Sequence, residues 1–206
     1  GFMLSAPAKA NLLNPKSWSM TEQLSYPTDA TEGNTWLEGN AVIGLDGSIL
    51  DILRVNNIQK AAILREDGLR LNFEGLVDFP GGATKFTIRY DKVSQRYWTL
   101  SNPALEQYPL SATSPASVRN TLALMSSKDL HHWKIERIVL SHPDPKMYAF
   151  QYVDWQFDGR DIIAASRTAF DDSTGGPHRF HDANYLTFHR IANFRSEAKN
   201  ESQTAH

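Results

Sequence analysis

Trp36 to Val55 reads WLEGNAVIGLDGSILDILRV: two strand-forming runs around Leu45-Asp46-Gly47-Ser48. Apolar runs on either side of an Asp-Gly pair predict a β-hairpin, because glycine accepts the left-handed backbone that a tight turn between right-twisted strands requires. Lys60 to Arg65 (KAAILR) and Leu69 to Val77 (LRLNFEGLV) add two more runs, joined by Glu66-Asp67-Gly68. Four strands therefore fit between Trp36 and Asp78. The order then recurs. Lys85 to Tyr90, Arg96 to Leu100, Asn120 to Ser126 and Trp133 to Leu140 form a second set, with a Pro- and Ser-rich loop, Asn102 to Ser117, in its middle. Phe150 to Phe157, Asp161 to Arg167 and Asn184 to Ile191 begin a third. Two further candidate strands lie in the first 25 residues, ending at Trp18-Ser19-Met20.

Short strands, four to a unit, at a period of roughly 50–65 residues are what a β-propeller blade requires. No segment keeps a helical period for more than about two turns. A β-sandwich is the alternative, and the repeated order of features favours the propeller. The expected fold is thus all-β, a propeller of four-stranded antiparallel blades. Its expected divisions are 1–30, the end of a blade; 31–79 and 83–141, two blades; 148–194, the start of a last blade; and 195–206, a disordered tail. That makes about three and a half blades where a closed ring needs at least four. The reading is therefore part of a five-bladed propeller, completed by the missing blades of a longer chain or by a second copy.

Composition narrows the function. The chain has 206 residues, 21 Lys and Arg against 23 Asp and Glu, and no cysteine. A formal charge of −2 gives no basic surplus for nucleic acid. No apolar run approaches the ~20 residues that span a bilayer, so no membrane partner is expected. The lack of thiols excludes disulfide scaffolds, thiol catalysis and thiolate zinc sites. Residues 195–206, RSEAKNESQTAH, lack any aliphatic side chain larger than alanine and include an Asn200-Glu201-Ser202 sequon.

Two motifs carry a resemblance. Ser127-Lys128-Asp129-Leu130-His131-His132-Trp133 resembles the S-x-D-L-x-x-W turn of five-bladed propeller glycoside hydrolases, and is close to the Asp-box of sialidases. Trp36-Leu37-Glu38-Gly39-Asn40 resembles the E-G-P or E-C-P blade-opening signature of the arabinanase/xylosidase and invertase-like families, with Asn40 in place of their Pro. Lys85 to Leu100 and Tyr152 to Phe194 are similar to bacterial proteins of the sialidase-like, BNR-repeat type. The likeness extends to about Arg195. It implies hydrolysis of a glycosidic bond in a polysaccharide or oligosaccharide, a carbohydrate partner, and a secreted or periplasmic location. No cofactor is implied, beyond at most a structural divalent cation such as calcium.

In such a fold the first strand of each blade lines the central channel. Reading those strands in parallel places Glu38, Lys85 and Asp154 at comparable positions. Two carboxyl groups can divide a glycosidase's work, one protonating the leaving oxygen and the other attacking or activating water. Glu38 is the candidate acid, with Gly39 leaving room for substrate, and Asp154 the candidate second carboxylate or a structural partner for an arginine of a neighbouring blade. Lys85 is a candidate substrate contact or an ion-pair partner. Arg54 and Arg167 end apolar second strands, where a planar guanidinium fork would either clamp a uronic or ulosonic acid carboxylate or form a salt bridge between blades. Arg89 and Arg119 are further candidates of that kind. The loop Gly175 to Asp182 (GGPHRFHD) brings His178, His181 and Asp182 together; His181 and Asp182 are read as substrate-side groups, with no metal site assigned. Two rival readings stand beside hydrolysis: a carbohydrate-binding propeller without catalysis, and an interaction scaffold.

Overall fold

The computed structural model describes residues 1–29, 32–107, 114–196 and 198. The middle of the Pro- and Ser-rich loop, the sequon and most of the expected tail lie outside the described residues. The fold is all-β, and three antiparallel sheets follow one another along the chain. The first joins β3 (Trp36–Ile43), β4 (Ile49–Val55), β5 (Lys60–Asp67) and β6 (Arg70–Asp78) in chain order. The second joins β7 (Thr87–Asp91), β8 (Arg96–Ser101), β9 (Thr121–Ser127) and β10 (Trp133–Ser141) in the same way. The third has three strands, β11 (Ala149–Asp158), β12 (Asp161–Ala169) and β13 (Tyr185–Ile191). Ahead of them β1 (Leu4–Ser5) and β2 (Ser19–Met20) pair as a small hairpin. Among the described residues no helix is long and apolar enough to cross a membrane.

Strand alternation explains the stacking. A strand turns successive side chains to opposite faces, so a sheet covered on both sides needs apolar residues at every position. In β9, Leu122 and Leu124 join one core while Ala123 and Met125 join another. The first core lies between the first and second sheets, from Leu50, Ile52 and Ile63 to Ile88, Tyr97 and Met125. The second lies between the second and third sheets, where Trp98, Leu100 and Leu122 meet Phe150, Trp155 and Ile162. A third core covers the outer face of the first sheet, with Met3, Leu24 and Tyr26 packed on Trp36, Leu53 and Val55. The opening strand of the second sheet, β7, adjoins both β3 and β11. Sheets stacked face to face with their first strands together are propeller blades.

Single polar side chains lock neighbouring blades. Asn40 donates to the Phe86 carbonyl (3.1 Å) and accepts from the Ile88 N–H (3.1 Å). Asn102, fully buried, donates to the carbonyls of Thr121 (2.8 Å) and Phe150 (2.6 Å). Trp155 donates its indole N–H to the Thr87 carbonyl (3.0 Å). In the Ser127–Trp133 turn, Asp129 accepts from the N–H groups of His131 and His132 (both 2.9 Å), and Trp133 packs on Phe79. Arg195, expected to open the disordered tail, is instead held to Asp91 through Nε (2.7 Å) and Nη2 (2.8 Å).

Gly39 corrects a second expectation. A Cβ there would lie 2.2 Å from Asp51 Oδ1 and 2.8 Å from Leu53 Cδ2. The missing side chain makes room for Asp51 rather than for substrate. Asp51 is 5% exposed. Its burial, only partly offset by the Gly1 amine and the Asn40 N–H, pushes its carboxyl up to about 6. A carboxyl raised in the folded state favours folding while protonated, and that advantage is lost as pH rises from the unfolded value of about 4 through 6. Asp51→Asn should therefore stabilise the protein by about 2–3 kcal/mol at pH 7.5 and by almost nothing at pH 4. Urea melts at the two pH values would show it, and an equal difference at both would refute the assignment.

Candidate functional site

Two of the three opening strands break their ladder at corresponding places. In β3 the pairing jumps from Trp36↔Val55 to Gly39↔Leu53, so Leu37 and Glu38 together oppose Arg54. In β11 it jumps from Gln151↔Arg167 to Asp154↔Ala165, so Tyr152 and Val153 together oppose Ser166. Tyr152 takes a φ of 51°, left-handed backbone that a bulky aromatic seldom adopts. Bulges re-aim side chains and gather next to active sites. Here they turn Glu38 and Tyr152 toward three arginines.

Arg54 is buried in β4 and donates from Nε to the Ala83 carbonyl (2.9 Å) and from Nη1 to Glu38 Oε2 (3.0 Å). Arg119 comes from the segment before β9 and is also buried. It donates from Nε to the Ala116 carbonyl (2.8 Å) and from Nη1 to Gln151 Oε1 (2.8 Å). Its guanidinium carbon stands 5.2 Å from the Tyr152 ring centre and 5.8 Å from that of Phe180. Arg167 closes the group from β12, 5.3 Å from the same Tyr152 ring, and donates from Nη2 to the His181 carbonyl (2.6 Å). Glu38 and Arg54 act electrostatically on both Arg119 and Tyr152. Residues of the first and third sheets and of the segment leading into β9 thus meet at one place.

The charges there are unbalanced. Glu38 answers Arg54, whereas the hydrogen bonds of Arg119 and Arg167 go to neutral acceptors. Burial by itself would raise the Tyr152 phenol; the hydrogen bond and charge of Arg119, with the charge of Arg54, outweigh it and hold the phenol below its ordinary 10. Burial lowers the His181 imidazole, and Arg119, Arg167 and Arg179 lower it further against Asp182. A neutral imidazole therefore faces a cationic surface.

Of the residues singled out in the sequence, Glu38, Arg54, Arg167 and His181 come together, with Arg119 beside them. Asp154 stands apart, exposed and paired with Arg89 at 3.2 Å. The Lys85 ammonium lies 3.4 Å from Thr87 Oγ1, and Asp182 pairs with Arg179 at 3.2 Å. Among the described residues no group of three His, Asp or Glu side chains stands ready for a metal ion. Gln151 and Tyr152 are additions that sequence reasoning missed. The signal for Gln151 was a neutral polar residue inside the apolar run FQYVDWQF. Its side chain is fully buried, and its Nε2 donates to the Phe180 carbonyl (2.7 Å) while Oε1 receives Arg119.

No protein-family model matches this chain, and no curated protein does. Among solved structures it is similar to the exo-β-1,3-galactanase of Phanerochaete chrysosporium solved with β-1,3-galactotriose. The identity is 7% and the TM-score 0.41, over 82% of this chain and 42% of that one. The chain thus spans under half the length of the structure it matches.

Removing the guanidinium that favours phenolate should restore the phenol. In Arg119→Met the Tyr152 hydroxyl is expected to ionise at higher pH than in the parent protein. Ultraviolet difference titration, each protein referenced to the same background carrying Tyr152→Phe, measures this; an unchanged or lower midpoint would show that Arg119 does not govern it.

Proposed function

We propose that this protein is a glycoside hydrolase that cleaves a saccharide at an acidic sugar. The observation that carries the reading is the meeting of Arg54, Arg119 and Arg167 around Tyr152 and Glu38, with Arg119 and Arg167 hydrogen-bonded, among the described residues, to neutral acceptors. Such forks suit a sugar carboxylate, which they can hold with paired charge-assisted hydrogen bonds. Glu38, bonded to Arg54, and Tyr152, whose phenol is held low, are the groups able to exchange protons and attack beside that carboxylate. Tyrosine is a known nucleophile in glycoside hydrolysis. In this reading Tyr152 takes the place that two-carboxylate chemistry would give to Asp154: its oxygen bonds to the anomeric carbon as the bond from that carbon to the leaving saccharide's oxygen breaks, Glu38 receives the phenol's proton, and the departing oxygen takes a proton from water. Water then displaces Tyr152 from the anomeric carbon, and the phenol regains its proton from Glu38 as the free sugar leaves. Arg119 and Arg167 bind the substrate, and His181 lines its approach.

The test is turnover of fluorogenic uronides, ulosonides and acidic oligosaccharides by the full chain. Glu38→Gln and Tyr152→Phe should each cut turnover at least about a hundredfold with the melting temperature little changed. Arg119→Met and Arg167→Met should instead weaken substrate binding about ten- to a hundredfold. Acidic saccharides that stabilise the protein without turnover, equally in Glu38→Gln, would replace hydrolysis by binding alone. No interaction with any acidic saccharide would overturn the reading.

A further inference from the structure

The third sheet places an amide between two of the arginines. In the first sheet Arg54 is answered by a charge, the Glu38 carboxylate, at 3.0 Å. In the third, the residue paired across the ladder from Arg167 is Gln151, and the same side chain receives Arg119 Nη1 on its Oε1 (2.8 Å). Residues paired across a ladder carry their Cβ atoms about 5 Å apart on one face, so one neutral group stands between two guanidiniums. Both of these flank the Tyr152 ring, Arg119 at 5.2 Å and Arg167 at 5.3 Å from its centre. A buried cation is ordinarily held by an opposite charge, and glutamate, of the same length as glutamine, would supply one to both arginines.

Both ends of the amide are engaged. While Oε1 accepts from Arg119, Nε2 donates to the Phe180 carbonyl (2.7 Å). Phe180 donates its own N–H to the Lys146 carbonyl (2.8 Å), and the next carbonyl, that of His181, receives Arg167 Nη2 (2.6 Å). A path of hydrogen bonds and backbone thus runs from Arg119 through Gln151 and the loop to Arg167. Gln151 is fully buried, so solvent cannot replace either of its partners. An ionised glutamate has nothing to donate to Phe180, and methionine offers no donor and only a weak acceptor.

We propose that Gln151 is a positioning and specificity-determining residue: it fixes Arg119 relative to Arg167 and, being neutral, leaves the charge of both to attract an acidic ligand. Resting on the function proposed above, Gln151 is the residue that directs the site to acidic rather than neutral sugars. A carboxylate at this position would answer the two cations from within and remove that preference.

The test compares Gln151→Glu with Gln151→Met in the full chain, since both lose the bond to Phe180 and only the first adds a charge. Binding of the methyl glycosides of glucuronic acid and N-acetylneuraminic acid, followed by NMR titration, should weaken about tenfold in Gln151→Met and at least about a hundredfold in Gln151→Glu. Methyl glucoside should be bound no less well by either. The Tyr152 phenol, titrated against a Tyr152→Phe background, should ionise at higher pH in Gln151→Glu than in Gln151→Met, because an added anion opposes phenolate. A residue that merely fastened the loop would shift both variants alike, so equal acidic-glycoside affinities or equal phenol midpoints would overturn the inference. Should Gln151→Glu not fold, Gln151→Met decides: amide hydrogen exchange over residues 176–183 should quicken at least about tenfold, with weaker acidic-glycoside binding. Exchange or affinity unchanged from the parent protein would overturn the inference. A higher phenol midpoint in Gln151→Glu, in a protein whose parent binds neither acidic glycoside, would uphold the placing of the cations by Gln151 and refute the proposed acidic substrate.

Discussion

A blade with two apolar faces gains stability when both are covered by other layers. The second sheet meets that demand with both neighbouring sheets, which is why every residue of β8 and β9 is buried. The first sheet is closed on its far side by the opening segment, through Met3, Leu24 and Tyr26. The third presents Leu186 and Phe188, 80% and 67% exposed, on its far face. Burial of this kind is favourable at about 25 cal/mol per Å² and has no direction of its own. Stacking therefore brings the sheets together without deciding how far one is turned or slid against the next.

Directional bonds supply that decision. Asn40 pins β3 to the chain entering β7, and Asn102 ties the end of β8 to β9 and β11. A buried amide left without partners costs on the order of 1–3 kcal/mol, so only one relative placement of the blades satisfies each of them. Asn40 stands where the resembling hydrolase signature has proline, which could offer neither bond.

The same fastening sets the site. Arg119 is carried by the segment that Asn102 holds, and Gln151 joins it to the loop bearing Phe180 and His181. Three guanidiniums close together repel one another, and burial adds to the cost. The π faces of Tyr152 and Phe180 and the neutral carbonyl acceptors offset part of it. Guanidiniums so placed keep their attraction for an anion, because neutral acceptors leave their charge uncompensated.

Short apolar runs such as ILDILRV and NTLALMS, bounded by turn residues such as Asp46-Gly47, were enough to identify the strands, because runs of that length between turns suit a sheet covered on both faces and are too short for a core helix. Glu38, Arg54, Arg167 and His181 could be picked out as charged or titratable groups at the ends of such runs. Reading the opening strands in parallel puts Asp154 with Glu38, which holds only where alternation runs unbroken through β11. The bulge at Tyr152 and Val153 breaks it, leaving Asp154 with Arg89 and bringing Tyr152 to the arginines. A bulge inserts one residue without changing composition, so a single sequence carries almost no trace of it. Strand identity and blade order were determined locally, by short apolar runs and the turn residues between them. Which charged groups meet was decided only by the tertiary structure, because it depends on register and on contacts between residues 16 to more than 100 positions apart.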